Sequence, residues 1–212
     1  MISAIVLAAG RSVRMGAFKQ LAELGGRTMV EWTVGNVLAS QVGEVVVVLG
    51  FRAEEVAEKL PTDPRLKVVV NKAFDRGMSS SLKAGLKAVD RACEAAVFIL
   101  ADQPLVDASV LNRLMEAYRQ TGAPIVVPTY QGKRGNPVLI ARSLFGEVQT
   151  VTGDKGAREV VERHGGEVAE VEIDTATVLL DVDTVDDLKK ARALLRRHGV
   201  DAAGEKTEEQ SA

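Results

Sequence analysis

Short apolar runs alternate with longer amphipathic stretches over residues 1–128, and this alternation constrains the fold more than any other feature. The runs predict β-strands at residues 2–7, 45–49, 66–70, 96–100 and 125–128, and the stretches predict helices at residues 28–40, 53–60, 79–92 and 109–120. Strands that are apolar throughout and separated by helices are typical of a mostly parallel sheet covered on both faces. We therefore predict an α/β fold, a Rossmann-like three-layer sandwich, in which ligands bind beyond the carboxyl ends of the strands.

The alternation weakens after residue 128. The remaining pattern predicts strands at residues 137–140, 168–173 and 178–180, and helices at residues 157–164 and from 184 onwards. We interpret residues 129–180 as a small subdomain appended to the core of residues 1–128, with residues 181–199 completing a single domain. Residues 200–212 are polar and acidic and have little to bury, so we expect a disordered tail.

Charge and composition exclude several classes of protein. Lysine and arginine number 27 against 29 aspartates and glutamates, and a formal net charge of −2 provides no global positive field for nucleic acid or anionic lipid. The single cysteine, Cys93, and the two histidines exclude an intrachain disulfide and a Cys- or His-rich metal centre. No stretch reaches the roughly 18 apolar residues of a membrane-spanning helix. We expect a cytoplasmic protein that binds neither nucleic acid nor membranes.

The most informative segment is LAAGRSVRMGAFK, residues 7–19, directly after the first strand. Its small residues let backbone N–H groups approach a polyphosphate, and Arg11, Arg14 and Lys19 supply neutralising charge. This combination suits a nucleoside triphosphate, although each cation taken alone fits a solvated loop better than a binding site. The spacing of Gly10 and Gly16 matches neither a P-loop nor a dinucleotide fingerprint.

Aspartates at two other strand ends are candidate metal ligands. Asp102 follows a buried run and precedes a proline, where one carboxylate can anchor Mg²⁺ that also binds phosphate oxygens. A cap on the following turn is the alternative for Asp102. Asp181 and Asp183 point to the same face if their segment is extended, and Asp183 is also placed to cap the last helix.

Three further segments carry polar groups suited to binding. Gly77-Met78-Ser79-Ser80-Ser81 opens a helix, where free backbone donors and hydroxyls read a base or a phosphate, or simply cap the helix. Asn71, shortly before it, suits a base contact or a turn. The Gly-rich charged loops at residues 132–137 and 152–158 are candidates for holding a phosphorylated acceptor, but solvated surface loops share this composition.

These motifs together carry a resemblance to a known family. LAAGRSVRMGAFK resembles the signature of the MobA-like nucleotidyltransferases, and GMSSSL, ADQP and RGNPVL at residues 77–82, 101–104 and 134–139 resemble its molybdenum cofactor cytidylyltransferase branch. The resemblance implies a nucleotide-diphospho-sugar transferase-like fold with a nucleotide-binding core. It also implies transfer of CMP from CTP to the terminal phosphate of a molybdopterin-type cofactor. Phe18 stands where guanylyl-transferring relatives usually carry Asp, which favours CTP.

The resemblance also implies roles for individual residues. Arg14 and Lys19 would stabilise the transition state, and Asp102 and Asp183 would hold Mg²⁺, or Mn²⁺ in its place. The expected nucleotide contacts are Leu7, Ala8, Ala9, Gly10, Arg11, Ser12, Arg14, Lys19, Asn71, Gly77, Met78, Ser79, Ser80, Ser81, Ala101 and Asp102. The expected acceptor contacts are Gln103, Pro104, Arg134, Gly135, Asn136, Pro137, Gly153, Asp154, Lys155, Gly156 and Arg158.

Two alternatives stay open at the level of sequence. The first keeps the chemistry but uses GTP or another NTP with a sugar, polyol or phospholactate phosphate as acceptor. The second is a non-catalytic nucleotide-binding protein that delivers the cofactor. The resemblance to the molybdenum cofactor branch, like the delivery alternative, implies a transient contact with a molybdoenzyme that receives the cofactor.

Overall fold

The computed structural model describes residues 1–11 and 18–197 of the chain. Its strands are β1 (Ile2–Ala8), β2 (Glu23–Leu24), β3 (Arg27–Thr28), β4 (Glu44–Leu49), β5 (Leu66–Val70), β6 (Ala95–Leu100), β7 (Ile125–Tyr130), β8 (Lys133–Arg134), β9 (Val138–Ala141) and β10 (Val168–Glu172). Its α-helices are α1 (Met29–Leu38), α2 (Ala53–Ala57), α3 (Met78–Ala88), α4 (Ala108–Thr121), α5 (Phe145–Val148), α6 (Arg158–Arg163) and α7 (Val185–Arg197). None of the helices in the described part is both long and apolar enough to cross a membrane.

A single mixed sheet organises the chain. Its strand order is β10-β7-β9-β6-β1-β4-β5, and β8 pairs with β7. The four strands β5, β4, β1 and β6 are parallel, whereas β9 runs antiparallel between β6 and β7. The short hairpin of β2 and β3 forms a separate two-stranded sheet. The predicted mostly parallel α/β sheet is confirmed.

The central strands are apolar on both sides because both faces are covered. In β1, Ala4, Val6 and Ala8 pack on one face against α1 and α4, and Ile5 packs on the other against α3. Complete burial of such strands explains why their sequences are continuous apolar runs rather than alternating patterns. The result is three layers, with helices on either side of the sheet.

The segment after residue 128 differs from the prediction in two ways. Its strands β8, β9 and β10 all join the main sheet: β9 is inserted between β6 and β7, β10 forms the edge beside β7, and β8 pairs with β7. The predicted strand at residues 178–180 is wrong, because residues 176–179 form a 3₁₀ turn. The Thr175 side chain accepts a hydrogen bond from the Thr177 backbone N–H, and this local cap competes with an extended conformation.

The carboxyl ends of β1 and β6 meet at one edge of the sheet. The Ala101 backbone N–H donates to the Leu7 carbonyl at 3.2 Å, and the Val182 N–H donates to the Asp102 carbonyl at 2.8 Å. These bonds bring three distant segments together at the edge where the fold predicts a ligand.

Candidate active site

A cavity of about 760 Å³ opens at this edge of the sheet. It is lined by the ends of β1 and β6, the start of α3 and the segment that leads into α7. Its lining residues are Leu7, Ala9, Gly10, Arg11, Lys19, Gln20, Phe74, Asp75, Gly77, Met78, Ser81, Leu100, Ala101, Asp102, Asp154, Asp181 and Asp183. The motifs at residues 7–19, 77–82 and 101–104 therefore meet around one space.

Lys19 bridges two carboxylates inside this cavity. Its Nζ donates to Oδ2 of Asp102 and to Oδ1 of Asp183, both at 2.7 Å. Burial by itself lowers the pKa of Lys19, but the charge and hydrogen bonds of Asp102 and then of Asp183 outweigh it and raise this pKa above its ordinary value. The ammonium is therefore a fixed positive charge at neutral pH.

The two bridged carboxylates fit the role of divalent metal ligands. Among the described residues, the buried Oδ1 of Asp102 has no hydrogen-bond partner, which leaves a costly unsatisfied acceptor. No cluster of three or more His, Cys, Asp or Glu side chains in residues 1–11 and 18–197 is arranged to hold a metal. Mg²⁺ does not need one, because it takes one or two carboxylates and completes its shell with phosphate and water.

Asp181 lines the cavity together with Asp102 and Asp183, although the sequence motifs favour Asp183 over Asp181 as a metal ligand. Its Oδ1 accepts a 2.7 Å hydrogen bond from Nε2 of Gln103, whose side chain is buried. Desolvation by the surrounding protein and the nearby charge of Asp102 raise the pKa of Asp181. Gln103, predicted as an acceptor contact, positions this carboxylate.

An aromatic rim holds Arg11 at the cavity. Its guanidinium carbon lies 5.3 Å from the ring centroid of Phe74 and 5.7 Å from that of Phe51, within cation–π range. Phe74 and Gln20 line the cavity although the sequence did not single them out, and Nε2 of Gln20 donates to the Gly10 carbonyl at 3.1 Å. The position of Gln20 directly after Lys19 of the motif was the sequence signal that could have identified it.

The serine-rich segment divides between two faces of α3. Gly77, Met78 and Ser81 line the cavity, whereas Ser79 and Ser80 lie in a neighbouring groove. Gly77 has a φ of +94°, and a Cβ on it would lie 2.4 Å from the carbonyl atoms of Gly153. This position therefore needs glycine to let the two loops touch.

Asn71 and Ala8, which were also expected to contact the nucleotide, do not line the cavity. The Asn71 amide donates to the hydroxyls of Ser80 at 2.8 Å and Ser81 at 3.1 Å, and its oxygen accepts from the Ala73 N–H at 3.0 Å, so Asn71 fixes the turn before α3. Ala8 does not line the cavity, because alternation along β1 turns its side chain into the core. Ser12 and Arg14 lie outside the described residues.

Of the expected acceptor contacts, Asp154 reaches the cavity. Its neighbour Gly153 accepts a 3.0 Å hydrogen bond from the Ser79 N–H, which holds the loop against α3. The cations of the two acceptor loops instead make ion pairs on the surface. These pairs are Arg134 with Glu170, Lys155 with Glu159 and Arg158 with Glu162, at 2.7, 3.6 and 3.4 Å.

The other acceptor candidates contribute to packing. The Gly135 N–H donates to the Pro128 carbonyl and the Asn136 N–H to the Val178 carbonyl, both at 2.9 Å, and the Asn136-Pro137 peptide bond is cis. The carbonyl of Pro104 accepts from the Asn36 side chain at 3.0 Å, and Gly156 lies against Met78. The structure does not bring these residues into the cavity lining, and their binding of an acceptor stays a prediction.

Two curated relatives resemble the chain over most of their length. The nicotine blue oxidoreductase of Paenarthrobacter nicotinovorans is 34% identical over 169 residues, which cover 74% of this chain and 79% of the relative. The molybdenum cofactor cytidylyltransferase of Escherichia coli is 26% identical over 141 residues, which cover 66% of this chain and 70% of the relative.

Two solved mycobacterial structures share the fold. The homologue of the Mycobacterium tuberculosis protein Rv0371c from Mycobacterium sp. strain JC1 superposes with a TM-score of 0.82 at 36% identity and covers 92% of this chain and 97% of that one. The manganese complex of Rv0371c from M. tuberculosis H37Rv has a TM-score of 0.76 at 29% identity, with 91% and 97% covered. One structural relative has thus been solved with a divalent metal.

The family model described as the MobA-like NTP transferase domain matches residues 4–168, which include most of β1, the cavity residues up to Asp154 and most of the sheet. The chain belongs to the MobA-like NTP transferase family.

Proposed function

We propose that the chain transfers CMP from CTP to the terminal phosphate of a molybdopterin-type cofactor and releases pyrophosphate. The observation that carries the proposal is the bridge of Lys19 between Asp102 and Asp183 in a cavity at the carboxyl ends of parallel strands. A buried ammonium beside two carboxylates supplies both kinds of charge that a metal-bound triphosphate needs.

The reaction needs no general base. An oxygen of the acceptor phosphate forms a bond to the α-phosphorus, while the bond from the α-phosphorus to its bridging oxygen breaks and pyrophosphate leaves with the electron pair. The attacking oxygen is already anionic near neutral pH, so catalysis consists of bringing two polyanions together and stabilising charge on the leaving group.

The residues of the cavity divide this work. Gly10 and Arg11 provide donors and charge for the phosphates, and Lys19 stabilises the departing pyrophosphate. Asp102 and Asp183 would hold a divalent cation, which neutralises phosphate charge when bound. Gly77, Met78 and Ser81 form the wall against which the nucleoside would lie.

The identity of the nucleotide as CTP and of the acceptor as a molybdopterin-type cofactor is the more specific part of the proposal. They are supported by the motifs at residues 77–82, 101–104 and 134–139, by Phe18 and by the E. coli relative. The alternative with GTP or another NTP and a sugar, polyol or phospholactate phosphate keeps every role given above. A delivery protein without chemistry would not require a cation held beside the metal ligands.

A substrate panel tests the proposal. Wild-type protein is incubated with each of the four NTPs, Mg²⁺ or Mn²⁺, and molybdopterin-type, sugar, polyol or phospholactate phosphate, and both pyrophosphate and the dinucleotide product are measured. We expect product from CTP and the molybdopterin-type acceptor, and roughly 10²–10³-fold slower formation of it with Lys19→Ala. Product from a different pair overturns the substrate assignment, and CTP binding with no product overturns the enzymatic one. A parallel assay for reduction of nicotine blue with NADH or NADPH tests the activity named for the P. nicotinovorans relative.

A further inference from the structure

A second concave surface lies on the other side of the wall that Gly153 forms against α3. This groove has a volume of about 510 Å³ and runs along the outer face of α3 from its first turn to Lys87. We call it the α3 groove and define it by Arg76, Ser79, Lys83, Lys87, Thr152 and Gly153.

The charges of the α3 groove have one sign. Arg76 precedes α3, while Lys83 and Lys87 are four residues apart on it, which places their Cβ atoms roughly 5–6 Å apart. Within the described parts of the chain, no acidic side chain lines the groove and none forms an ion pair with these three cations. Three like charges lie around one concave surface, although the net charge of the protein is slightly negative. Their mutual repulsion destabilises the unliganded protein, and a bound anion relieves it.

Hydrogen-bond donors accompany the cations. The Ser80 hydroxyl is already engaged by Asn71, Ala73 and Gly77, but among the described residues the hydroxyl of the largely buried Ser79 makes no hydrogen bond. Cations together with a spare hydroxyl on a concave surface are the groups that bind phosphate oxygens.

The groove is separate from the active-site cavity. Asp154 lines the cavity, whereas Thr152 and Gly153 line the groove, and the 3.0 Å hydrogen bond from the Ser79 N–H to the Gly153 carbonyl closes the wall between them. An anion on the groove side therefore lies behind the wall and does not occupy the position of the triphosphate.

We propose that the α3 groove is a second anion site, which binds the phosphate group of a small phosphorylated ligand. The recognised chemistry is a terminal phosphate carrying about two negative charges near neutral pH. It is supplied either by free inorganic phosphate or by a phosphate monoester. The proposal does not depend on which nucleotide the active-site cavity takes.

Calorimetric titration with inorganic phosphate and, separately, with glycerol 3-phosphate tests the site. The titrations use Lys19→Ala protein without metal, in which the active-site cavity has lost its buried cation. Two charge-matched double variants are compared in that background: Lys83→Gln with Lys87→Gln in the groove, and Lys59→Gln with Lys189→Gln at exposed lysines elsewhere. Tighter binding of one ligand identifies the source of the phosphate.

We expect saturable binding of at least one ligand, weakened about tenfold or more by the groove variant, since two charge-assisted contacts are lost. The control variant should keep the affinity to within about threefold. Absence of binding, or an equal loss in both double variants, overturns the proposal. If Lys19→Ala does not fold, the two double variants are compared in the wild-type background instead. There the groove variant should lose one of two phosphate sites, and the control variant should lose neither. Since no nucleoside triphosphate is used, failure here is distinguishable from failure of the proposed transfer reaction.

Discussion

Gly77 and Gly153 touch so closely that a Cβ on Gly77 would lie 2.4 Å from the carbonyl carbon and oxygen of Gly153. One glycine opens α3 and the other belongs to the loop that carries Asp154 into the cavity. The contact therefore couples the helix that carries Met78 and Ser81 to a loop more than 70 residues away in sequence.

Gly77→Ala should disrupt this contact. The new methyl group meets backbone, and the φ of +94° strains any side chain, so we expect a loss of about 1–3 kcal/mol in the free energy of unfolding together with reduced activity. Chemical denaturation measures the first quantity. Gly146→Ala is the matched control, because Gly146 lies in α5, where the space that a Cβ would take is open, and this change should be neutral or stabilising. Equal effects at both positions would contradict the argument.

Lys19→Ala should separate catalysis from folding. A lost charge aimed at a transition state typically lowers kcat by roughly 10²–10³-fold, and the core packing around Phe18 does not involve the Lys19 ammonium. Steady-state kinetics with a circular dichroism melt checks both parts. The exposed Lys59, changed to alanine, should leave kcat unchanged. A Lys19→Ala protein with wild-type turnover would refute its role.

Variants of Asp102, Asp181 and Asp183 should differ in their metal dependence. Asp102→Asn and Asp183→Asn each remove one carboxylate beside Lys19, so the Mg²⁺ concentration for half-maximal activity should rise by at least roughly tenfold. Asp181→Asn removes a carboxylate held by Gln103 and should change this concentration less. Metal titrations of the three variants measure it. The assignment fails if Asp181→Asn has the largest effect.

Acid should weaken the fold through Glu44, at the opposite end of the sheet from the cavity. Burial raises the pKa of this carboxyl, but hydrogen bonds from Lys67, the Asp90 N–H and the Ser3 hydroxyl outweigh burial and lower it below its ordinary 4.5. A lowered folded-state pKa gives stability that is fully present above pH 4.5 and is lost as the pH falls through the folded value.

Glu44→Gln should therefore cost about 1–3 kcal/mol at pH 7, and the difference from wild type should shrink below pH 4.5. Denaturation at a series of pH values measures this difference. Glu116→Gln, an exposed change on α4, is the control and should show no such trend. A cost that is independent of pH would mean that the charged form of Glu44 is not what stabilises the fold.

Periodicity predicted the sheet because the central strands β1, β4 and β6 are apolar over most of their length. The edge strand β5, although largely exposed, also agrees with its predicted bounds at residues 66–70. The run at residues 178–180 was too short to distinguish a strand from a turn, and the hydrogen bond at Thr175 decided it.

The sequence motifs predicted which segments meet at the cavity but not the distances between their side chains. That Asp181 and Asp183 share a face followed from alternation, and both line the cavity. The side chains of consecutive residues in a helix are rotated by about 100° around its axis, so Ser79, Ser80 and Ser81 point to different faces. Which serine faces the cavity depends on the residue at which α3 begins. Lys19 and Asp183 are 164 positions apart, and long-range contacts such as the Val182–Asp102 backbone bond and the Gln103–Asp181 hydrogen bond bring them together.

The position of Lys19 also has a consequence for the order of uptake. Its ammonium already forms ion pairs with Asp102 and Asp183, so a bare divalent ion has to compete with a covalently tethered cation for these oxygens. A nucleotide that arrives with its ion bound offers the displaced ammonium new anionic partners in exchange. For the proposed transfer reaction, this geometry favours entry of ion and nucleotide as one complex over stepwise loading.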